Sequence, residues 1–314
     1  MRALIHAGMH RTGTTWLQDR LAGGRAALAA RGVRYPGREA NHQALAWALR
    51  RGEAGPQDAR RLLLQGAPER PRLSVLSAED FFTHRDLEWV RRLAQEGPTS
   101  VRVYLRRQDD WLNSWYNQHV KWPFDRRLSQ AGPEDFLERI DRFHWLDFEA
   151  ALSRWADALG DDGVEVAVVE PGGVEDVAAD FLARLEIDPS ALPEGEARAN
   201  ESLPAHALEI ARHMGLHDLD AAARIRLNGA LRRGLSAHAT PARTVFSVAR
   251  RNEILDRFEA GNAAVARRFL GRETLFRQPR PNPDEPHFEF PEIDRQTLLR
   301  DWIAPVMQEL ARGR

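Results

Sequence analysis

Short apolar segments that alternate with helical patterns constrain the fold of this chain more than any other feature. Four segments have the length and apolar content of buried strands: Ala3–Ala7, Leu73–Leu76, Val101–Leu105 and Val164–Val169. A helical pattern follows each of them, at residues 14–30, 84–95, 108–121 and 174–186. Such alternation is typical of βαβ units and predicts a central parallel sheet. Gly32–Tyr35 is a weaker candidate for an edge strand.

Strand-like segments end before about residue 200, and helical patterns dominate after it. They cover residues 203–214, 218–233, 246–270 and 293–312, and Asn200-Glu201-Ser202-Leu203 is expected to open the first of them. The proline-rich segment Arg277–Phe290 predicts an extended connection. We expect a three-layer α/β fold in a single domain over residues 1–314, with a nucleotide-binding core at 1–190 and a mostly helical cover at 200–314.

The composition excludes several classes of protein. Lys+Arg 45 against Asp+Glu 46 gives a net charge of -1, which is unlike a basic nucleic-acid-binding protein. The absence of cysteine excludes disulfides, thiolate catalysis and cysteine-based zinc sites. No apolar run approaches the ~18 residues of a membrane helix, and the N-terminal one is too short for a signal-peptide core. We therefore expect a cytoplasmic protein with no nucleic-acid partner and no membrane span.

The most informative motif, Gly8–Gln18, lies directly between the first predicted strand and its helix. Gly8 and Gly13 allow the backbone to curl so that its N–H groups converge on an anion, and the helix N-terminus adds partial positive charge. A nucleotide triphosphatase loop of the form G-x-x-x-x-G-K-[ST] has a lysine where this chain has Thr14. The cation here is Arg11. The motif predicts a site for a terminal phosphate or a sulfate.

Residues His10 to Trp16 resemble the 5′-phosphosulfate loop of the sulfotransferases, whose pattern is close to [PH]-[KR]-[ST]-G-T-T-[WSL]. The resemblance implies a P-loop fold and 3′-phosphoadenosine-5′-phosphosulfate (PAPS) as the donor. It implies that Arg11 contacts the leaving group in catalysis, and that the residues after it hold the 5′-phosphate: Thr12, Gly13, Thr14 and Thr15. It also implies that Trp16 stacks on adenine, with packing in the core as the alternative.

A second anion site is predicted at the end of the strand Val101–Leu105. Arg106 closes this strand, and Ser114 follows eight residues later, about two turns into the next helix. A guanidinium presents paired donors to phosphate oxygens. The pair resembles the 3′-phosphate motif of the sulfotransferases, with Arg107 as a substitute if the strand register differs by one residue. Two such sites would hold the two phosphate-bearing ends of one nucleotide.

The proton acceptor is expected just beyond the strand Leu73–Leu76, at the edge where open parallel sheets bind ligands. Glu79 is the predicted catalytic base: the resemblance to the sulfotransferases implies a base at this strand end, which is a histidine in the cytosolic enzymes and a glutamate in several glycan sulfotransferases. Asp80, His84 and His42 are the alternatives. An acid that begins a helix is the other interpretation of Glu79.

Three further residues are candidates for smaller roles. Lys121, the single lysine, would line the acceptor pocket or, as the favoured interpretation, end its helix as a solvated cation. Arg243 lies where bacterial sulfotransferases carry a basic loop over the 3′-phosphate. Glu170 resembles a structural acid at a strand end.

These residues predict a sulfotransferase that moves a sulfuryl group from PAPS to a hydroxyl, or an amine, of a glycan or small-molecule acceptor. Adenosine 3′,5′-bisphosphate (PAP) would be the product, and no metal is required. A P-loop kinase acting on a small metabolite and a non-catalytic nucleotide-binding protein are the alternatives. The acceptor and the oligomeric state are left open.

Overall fold

Five strands and the helices between them build the part of the chain that carries the candidate site. The computed structural model describes residues 2–65, 71–194, 202–214 and 216–312. Its strands are β1 (Ala3–His6), β2 (Val33–Arg34), β3 (Leu73–Ser77), β4 (Thr99–Leu105) and β5 (Val164–Val168). Asn200 and Glu201 of the expected helix opening lie outside the described residues.

The α-helices of the described residues follow in chain order. They are α1 (Thr14–Gly23), α2 (Arg25–Ala29), α3 (Gln43–Arg51), α4 (Pro56–Leu64), α5 (Glu88–Glu96), α6 (Gln108–Lys121), α7 (Arg126–Ser129), α8 (Pro133–Leu137), α9 (Phe148–Leu159), α10 (Val177–Arg184), α11 (Ala205–His213), α12 (Ala221–Gly234), α13 (Val248–Leu270), α14 (Arg295–Thr297) and α15 (Ala304–Arg312). A π-helical turn, Leu298–Ile303, joins the last two. No helix in these ranges has the length and apolar character that crossing a bilayer requires.

All five strands are parallel and stand in the order β2-β3-β1-β4-β5. One face of the sheet packs through Leu4 and Tyr104 on α1 and α10. The alternate residues Ile5, Leu76 and Val103 are fully buried on the other face, and α5 and α9 pack against β4. Strands covered on both faces need nearly continuous apolar sequence, which β1 and β4 have. The predicted α/β fold with a central parallel sheet is confirmed.

The strand order places a crevice between β1 and β4. From β1 the chain leads to β2 on one side of the sheet, whereas from β4 it leads to β5 on the other. Ligands of open α/β sheets bind at the carboxyl ends of strands where the connections diverge in this way. Beyond β1, the Ala7 N–H still donates to the Arg102 carbonyl (3.0 Å) and the Met9 N–H to the Tyr104 carbonyl (3.2 Å). The glycine-containing loop therefore starts within this crevice.

Several helices differ from the sequence predictions. The helix predicted at 14–30 is broken at Gly24, where the Gly24 N–H closes α1 on the Arg20 carbonyl. The helix predicted at 84–95 begins only at Glu88, and a 3-10 turn, Glu79–Thr83, lies between it and β3. The helices α3, α4 and α9 were not predicted. They contain nine, nine and twelve residues.

The chain divides into two compact units whose segments alternate along the sequence. Unit 1 consists of the described residues of Met1–Arg107, His144–Arg198 and Phe258–Pro279, and it contains the whole sheet. Unit 2 consists of those of Gln108–Phe143, Ala199–Arg257 and Arg280–Arg314. The expectation of one domain with a core at 1–190 and a cover at 200–314 stays a prediction.

Unit 2 is helical and contains buried ion pairs. The Arg251 guanidinium, 6% exposed, pairs with the fully buried Asp109 carboxylate at 2.9 Å and with Glu285 at 2.7 Å. The side-chain amide of Asn117 holds the chain before α11: its Nδ2 donates to the Leu203 carbonyl at 2.6 Å, and its Oδ1 accepts the Leu203 N–H at 3.1 Å. These contacts fix α6 to the C-terminal helices of its own unit.

Candidate functional site

The loop after β1 has the backbone conformation of an anion cradle. Arg11 and Gly13 both have positive φ, 67° and 86°, so the chain turns twice in the left-handed region within three residues. This region is open to glycine and strained for an arginine, and such strain is concentrated at functional sites. A Cβ on Gly13 would meet nothing within 4 Å, so the space beside the loop is open. The loop conformation therefore fits the predicted binding of an oxyanion.

Glu79 lies beneath this loop and is bonded to it. Its Oε1 accepts a 2.5 Å hydrogen bond from the Thr14 hydroxyl, and its Oε2 accepts one of 3.1 Å from the Gln18 amide. The side chain belongs to the 3-10 turn that follows β3, and the residue is only 8% exposed. β1 and β3 are adjacent, and this adjacency brings Glu79 to the loop. The structure thus joins two predicted site residues, Thr14 and Glu79, that are 65 positions apart.

His6, the last residue of β1, supports the loop from inside the unit. Its Nδ1 is 2.7 Å from the Ser77 hydroxyl, and its ring packs edge-on against Tyr104 and Phe181. Its Nε2 is buried and has no hydrogen-bond partner among the described residues. Burial lowers the pKa of His6 to about 4, with Arg102 acting in the same direction and Glu79 against it. The imidazole is therefore neutral at pH 7.

Two predicted cations, Arg11 and Arg106, meet at the loop. Arg106 follows β4 and donates from Nη1 to the Arg11 carbonyl at 3.1 Å. Burial, and after it the positive charge of Arg106, lowers the pKa of Arg11 below its ordinary value. The positive charge of both residues at the loop favours the binding of anions there.

Arg107, the predicted substitute for Arg106, has a different environment. Its side chain is buried, and Nη1 donates to the Pro279 carbonyl at 2.6 Å and to the Gln278 carbonyl at 3.4 Å. The carboxylate of Glu170, beyond β5, accepts the backbone N–H groups of Arg277 (2.8 Å) and Gln278 (3.0 Å). Arg107 and Glu170 together anchor the start of the proline-rich segment to the sheet edge.

The alternative bases have contrasting surroundings. His42 and His84 are buried with both ring nitrogens in hydrogen bonds to protein groups, and burial lowers the pKa of each. Asp80 accepts from the Gln43 amide at 2.9 Å, and its Oδ2 is 3.9 Å from His10 Nε2. Asp80 is thus the alternative base whose carboxylate lies within 4 Å of a loop side chain, that of His10.

The remaining loop residues differ in orientation. The Thr12 hydroxyl donates to the Met9 carbonyl at 2.7 Å and so braces the loop internally, whereas Thr15 is exposed. Trp16 is half-buried and packs against the apolar cluster of unit 1. This contact matches the core-packing alternative and leaves part of the indole accessible.

Three predicted residues belong to unit 2. Ser114 and Lys121 both lie on α6, and they are 7% and 5% exposed. The interpretation of Lys121 as a solvated cation is therefore wrong, because its side chain is buried in the fold. The Arg243 carbonyl accepts a 3.1 Å bond from the Asn113 amide of the same helix.

Sequence reasoning missed His6 and Gln18. The signal for His6 was present, since it is a polar residue in a strand that is otherwise apolar, next to the loop. Gln18 follows Thr14 by one helical turn, so both point to the same side of α1. In the described ranges no group of three or more His, Cys, Asp and Glu residues is arranged to hold a metal ion.

No family model matches this chain. It is 29% identical over 183 residues to an uncharacterized protein of Archaeoglobus fulgidus, an alignment that covers 57% of this chain and 48% of that protein. The chain thus spans about half the length of this curated relative. In structure it is similar to a sulfotransferase from Alicyclobacillus acidocaldarius, with a TM-score of 0.41 and 18% identity, over 71% of this chain and 98% of that one. A likeness of this size carries no conclusion about function.

Proposed function

We propose that this chain is a sulfotransferase that moves the sulfuryl group of PAPS to a hydroxyl of a glycan or small-molecule acceptor. One observation carries the proposal. A loop with two left-handed residues, at the crevice between β1 and β4, carries Arg11 and is bonded through the Arg11 carbonyl to Arg106, and it lacks the lysine of a P-loop kinase. The position equivalent to that lysine is Thr14, whose hydroxyl is bonded to Glu79.

In this reaction the acceptor oxygen forms a bond to sulfur while the bond from sulfur to the bridging phosphate oxygen breaks. Negative charge then develops on the departing phosphate. In this proposal the Arg11 guanidinium stabilises that charge together with the N–H groups of Gly13, Thr14 and Thr15, and fixed donors of this kind supply much of an enzyme's rate enhancement. The Thr14 hydroxyl proton is directed to Glu79, so the contribution of Thr14 to the anion comes from its backbone.

Glu79 takes the proton of the acceptor hydroxyl in this proposal. An ionised carboxylate offers about four acceptor positions, and the bonds from Thr14 and Gln18 use two of them. The same two bonds hold the carboxylate in one orientation. Asp80, bonded to Gln43 and close to His10, is the second candidate for the base.

Recognition of the 3′-phosphate is assigned to Arg106, and adenine stacking to Trp16. Arg106 supports this assignment because it follows β4, donates to the loop at the Arg11 carbonyl and carries a guanidinium, whose fork matches phosphate oxygens. Arg107 is a weaker candidate, since its donors already serve the Gln278 and Pro279 carbonyls.

Calorimetry with PAP and with ATP plus Mg²⁺ tests the proposal. We expect PAP to bind at least about tenfold more tightly than ATP, and Arg11→Ala to weaken PAP binding by at least that factor. Arg38→Ala, at an exposed position of unit 1, is the matched control and should bind as wild type does. Equal affinity for ATP with Mg²⁺-dependent turnover would favour the kinase.

A turnover assay distinguishes the proposed enzyme from the alternative, a non-catalytic nucleotide-binding protein. Release of PAP from PAPS is followed with a panel of sugar and phenol acceptors. We expect acceptor-dependent release that disappears in Arg11→Ala. Tight PAP binding without release for any acceptor would support the binding protein instead.

A further inference from the structure

Unit 2 contains a cleft that the proposed reaction does not use. Its volume is about 520 Å³, within the range of ~300–1,000 Å³ that is typical of sites for small molecules. The cleft is lined by α11, by the chain before α13 and by residues 287–290, with Tyr116 of α6 beside them. These segments all belong to unit 2, whereas the groups assigned to sulfuryl transfer belong to unit 1.

The walls of the cleft are held in place by bonds within unit 2. On α6, Asn117 bonds to the backbone before α11, and Asn113 Oδ1 accepts the Val245 N–H at 3.2 Å. The third wall is tied to the second, since the Phe288 N–H donates to the Thr244 carbonyl at 2.8 Å. Because these bonds need no ligand, the cleft is preformed, as sites for small molecules usually are.

Apolar side chains form a large part of the lining. Leu208 of α11 and Val245 contribute aliphatic surface, and Phe288 and Phe290 contribute aromatic surface. The two phenylalanines are half-buried, and their ring centroids are 6.4 Å apart. Water in the cleft leaves this apolar surface hydrated, whereas an apolar ligand removes it from water and gains free energy. The lining therefore favours a ligand with an apolar body over water alone.

The charged groups of the cleft are mostly acidic. The lining includes one arginine, Arg212, and three carboxylates: Glu134, Glu209 and Glu289. Arg212 pairs with Glu209, so two carboxylates are in excess. Arg250 pairs with Glu134 at 2.9 Å but also with Glu253, and these two neighbours together add no net charge. The lining is thus negative and complementary to a cation, which the faces of the two phenylalanine rings also attract.

We infer that the cleft of unit 2 is a binding site for a small amine with an apolar body. The apolar body packs against Leu208, Val245 and the two phenylalanines, and the ammonium group lies near the carboxylates of Glu134 and Glu289. The side chains of these glutamates are 63% and 81% exposed, so they form the solvent-facing part of the lining. The inference depends on unit 2 alone and does not require sulfuryl transfer.

The test is calorimetric titration of the full chain at pH 8 with three molecules of matched size: phenylpropylamine, phenylpropanol and phenylpropionate. They share a phenyl ring and differ in the charge at the end of the chain. We expect saturable binding of the amine with a Kd of about 1 mM or tighter, as its size allows. The alcohol should bind at least about fivefold more weakly, and the carboxylate more weakly still, because the lining is acidic.

Variants test the apolar and the acidic parts of the lining separately. Phe288→Ala removes apolar surface and should weaken the amine and the alcohol alike, by at least about fivefold. Glu134→Gln and Glu289→Gln should each weaken the amine at least about threefold and leave the alcohol unchanged. Glu138→Gln is the matched control: it lies one helical turn after Glu134, is exposed and does not line the cleft, so it should change neither affinity.

Each outcome decides the inference. Absence of saturable amine binding overturns it, and so does an affinity for the alcohol or the carboxylate that equals the affinity for the amine. Amine binding that both glutamate variants retain in full also overturns it, and these exposed positions keep the test decisive if Phe288→Ala does not fold. PAP is titrated into the same variants and should bind as it does to wild type, so a failure here is distinguished from a failure of the sulfotransferase proposal.

Discussion

The Nε2 atom of His6 lies 2.7 Å from the point where a Cβ on Gly8 would stand, so the imidazole fills the space beneath the loop that any other residue would need. The Thr14 methyl group lies 2.6 Å from the same point. Both neighbours are held by hydrogen bonds, His6 to Ser77 and Thr14 to Glu79. Gly8 is therefore required for the close approach of the loop to the strand ends.

Replacing Gly8 by alanine should displace the loop. The added methyl group must push His6 or Thr14 out of its hydrogen bond, so we expect PAP affinity to fall at least about tenfold, with a loss of stability of about 1–3 kcal/mol. Calorimetry and urea unfolding measure the two effects. Gly55→Ala is the control, because a Cβ there meets nothing within 4 Å and its φ is -125°. Unchanged PAP affinity in Gly8→Ala would contradict the assigned role of the loop.

The stability of the protein should fall as the pH falls from about 6.5 to 4. His6 is neutral in the folded protein down to about pH 4, whereas in the unfolded chain it takes up a proton near pH 6.5. The unfolded state binds more protons in this window, so acid favours unfolding, by on the order of 3 kcal/mol at its lower end. Urea unfolding of wild type and His6→Asn at pH 7 and pH 5 measures the effect. The variant has no imidazole at this position and should lose less stability between the two values; an equal loss would show that His6 does not contribute.

Glu79 should affect turnover more than binding. Glu79→Gln keeps the size of the side chain but removes its basicity, and loss of a general base lowers rates by about 10²–10⁴-fold. We expect kcat to fall by at least about 100-fold, with PAP affinity within threefold of wild type. Asp80→Asn is the parallel variant and should retain most of the activity. If PAP affinity falls as far as kcat in Glu79→Gln, the carboxylate holds the loop and another residue accepts the proton.

Variants of Arg106 should affect nucleotide affinity, whereas variants of Arg107 should affect the free energy of unfolding. Arg106→Gln should weaken PAP by at least about tenfold but adenosine 5′-monophosphate much less, because it removes a contact to the 3′-phosphate. Arg107→Gln should instead lower the free energy of unfolding by about 1–3 kcal/mol, since its carbonyl partners at Gln278 and Pro279 lose a buried charged donor. The reverse pattern in calorimetry and urea unfolding would assign the 3′-phosphate to Arg107.

The strands and the loop could be predicted because their signals are local. Apolar segments of four to six residues predicted β1, β3, β4 and β5, and two glycines five residues apart predicted the turn of the loop. These features depend on backbone freedom and on burial of neighbouring side chains. The helices α3 and α4 were missed because they bury few side chains, Ala46 in one and Ala59 with Leu63 in the other, whereas α5, of the same length, buries Trp89, Val90 and Leu93.

The hydrogen-bond partners of the site residues could not be predicted from local sequence signals. The bonds from Thr14 and Gln18 to Glu79 span 65 and 61 positions, and they exist because β3 pairs with β1 in a register that sets His6 opposite Ser77. The order β2-β3-β1-β4-β5 likewise brings Arg106 to the carbonyl of Arg11. Local preference accounts for a phosphate loop between a strand and a helix. Which acid and which arginine meet that loop depends on strand order and register, which arise from packing of the whole sheet and from no short stretch of residues.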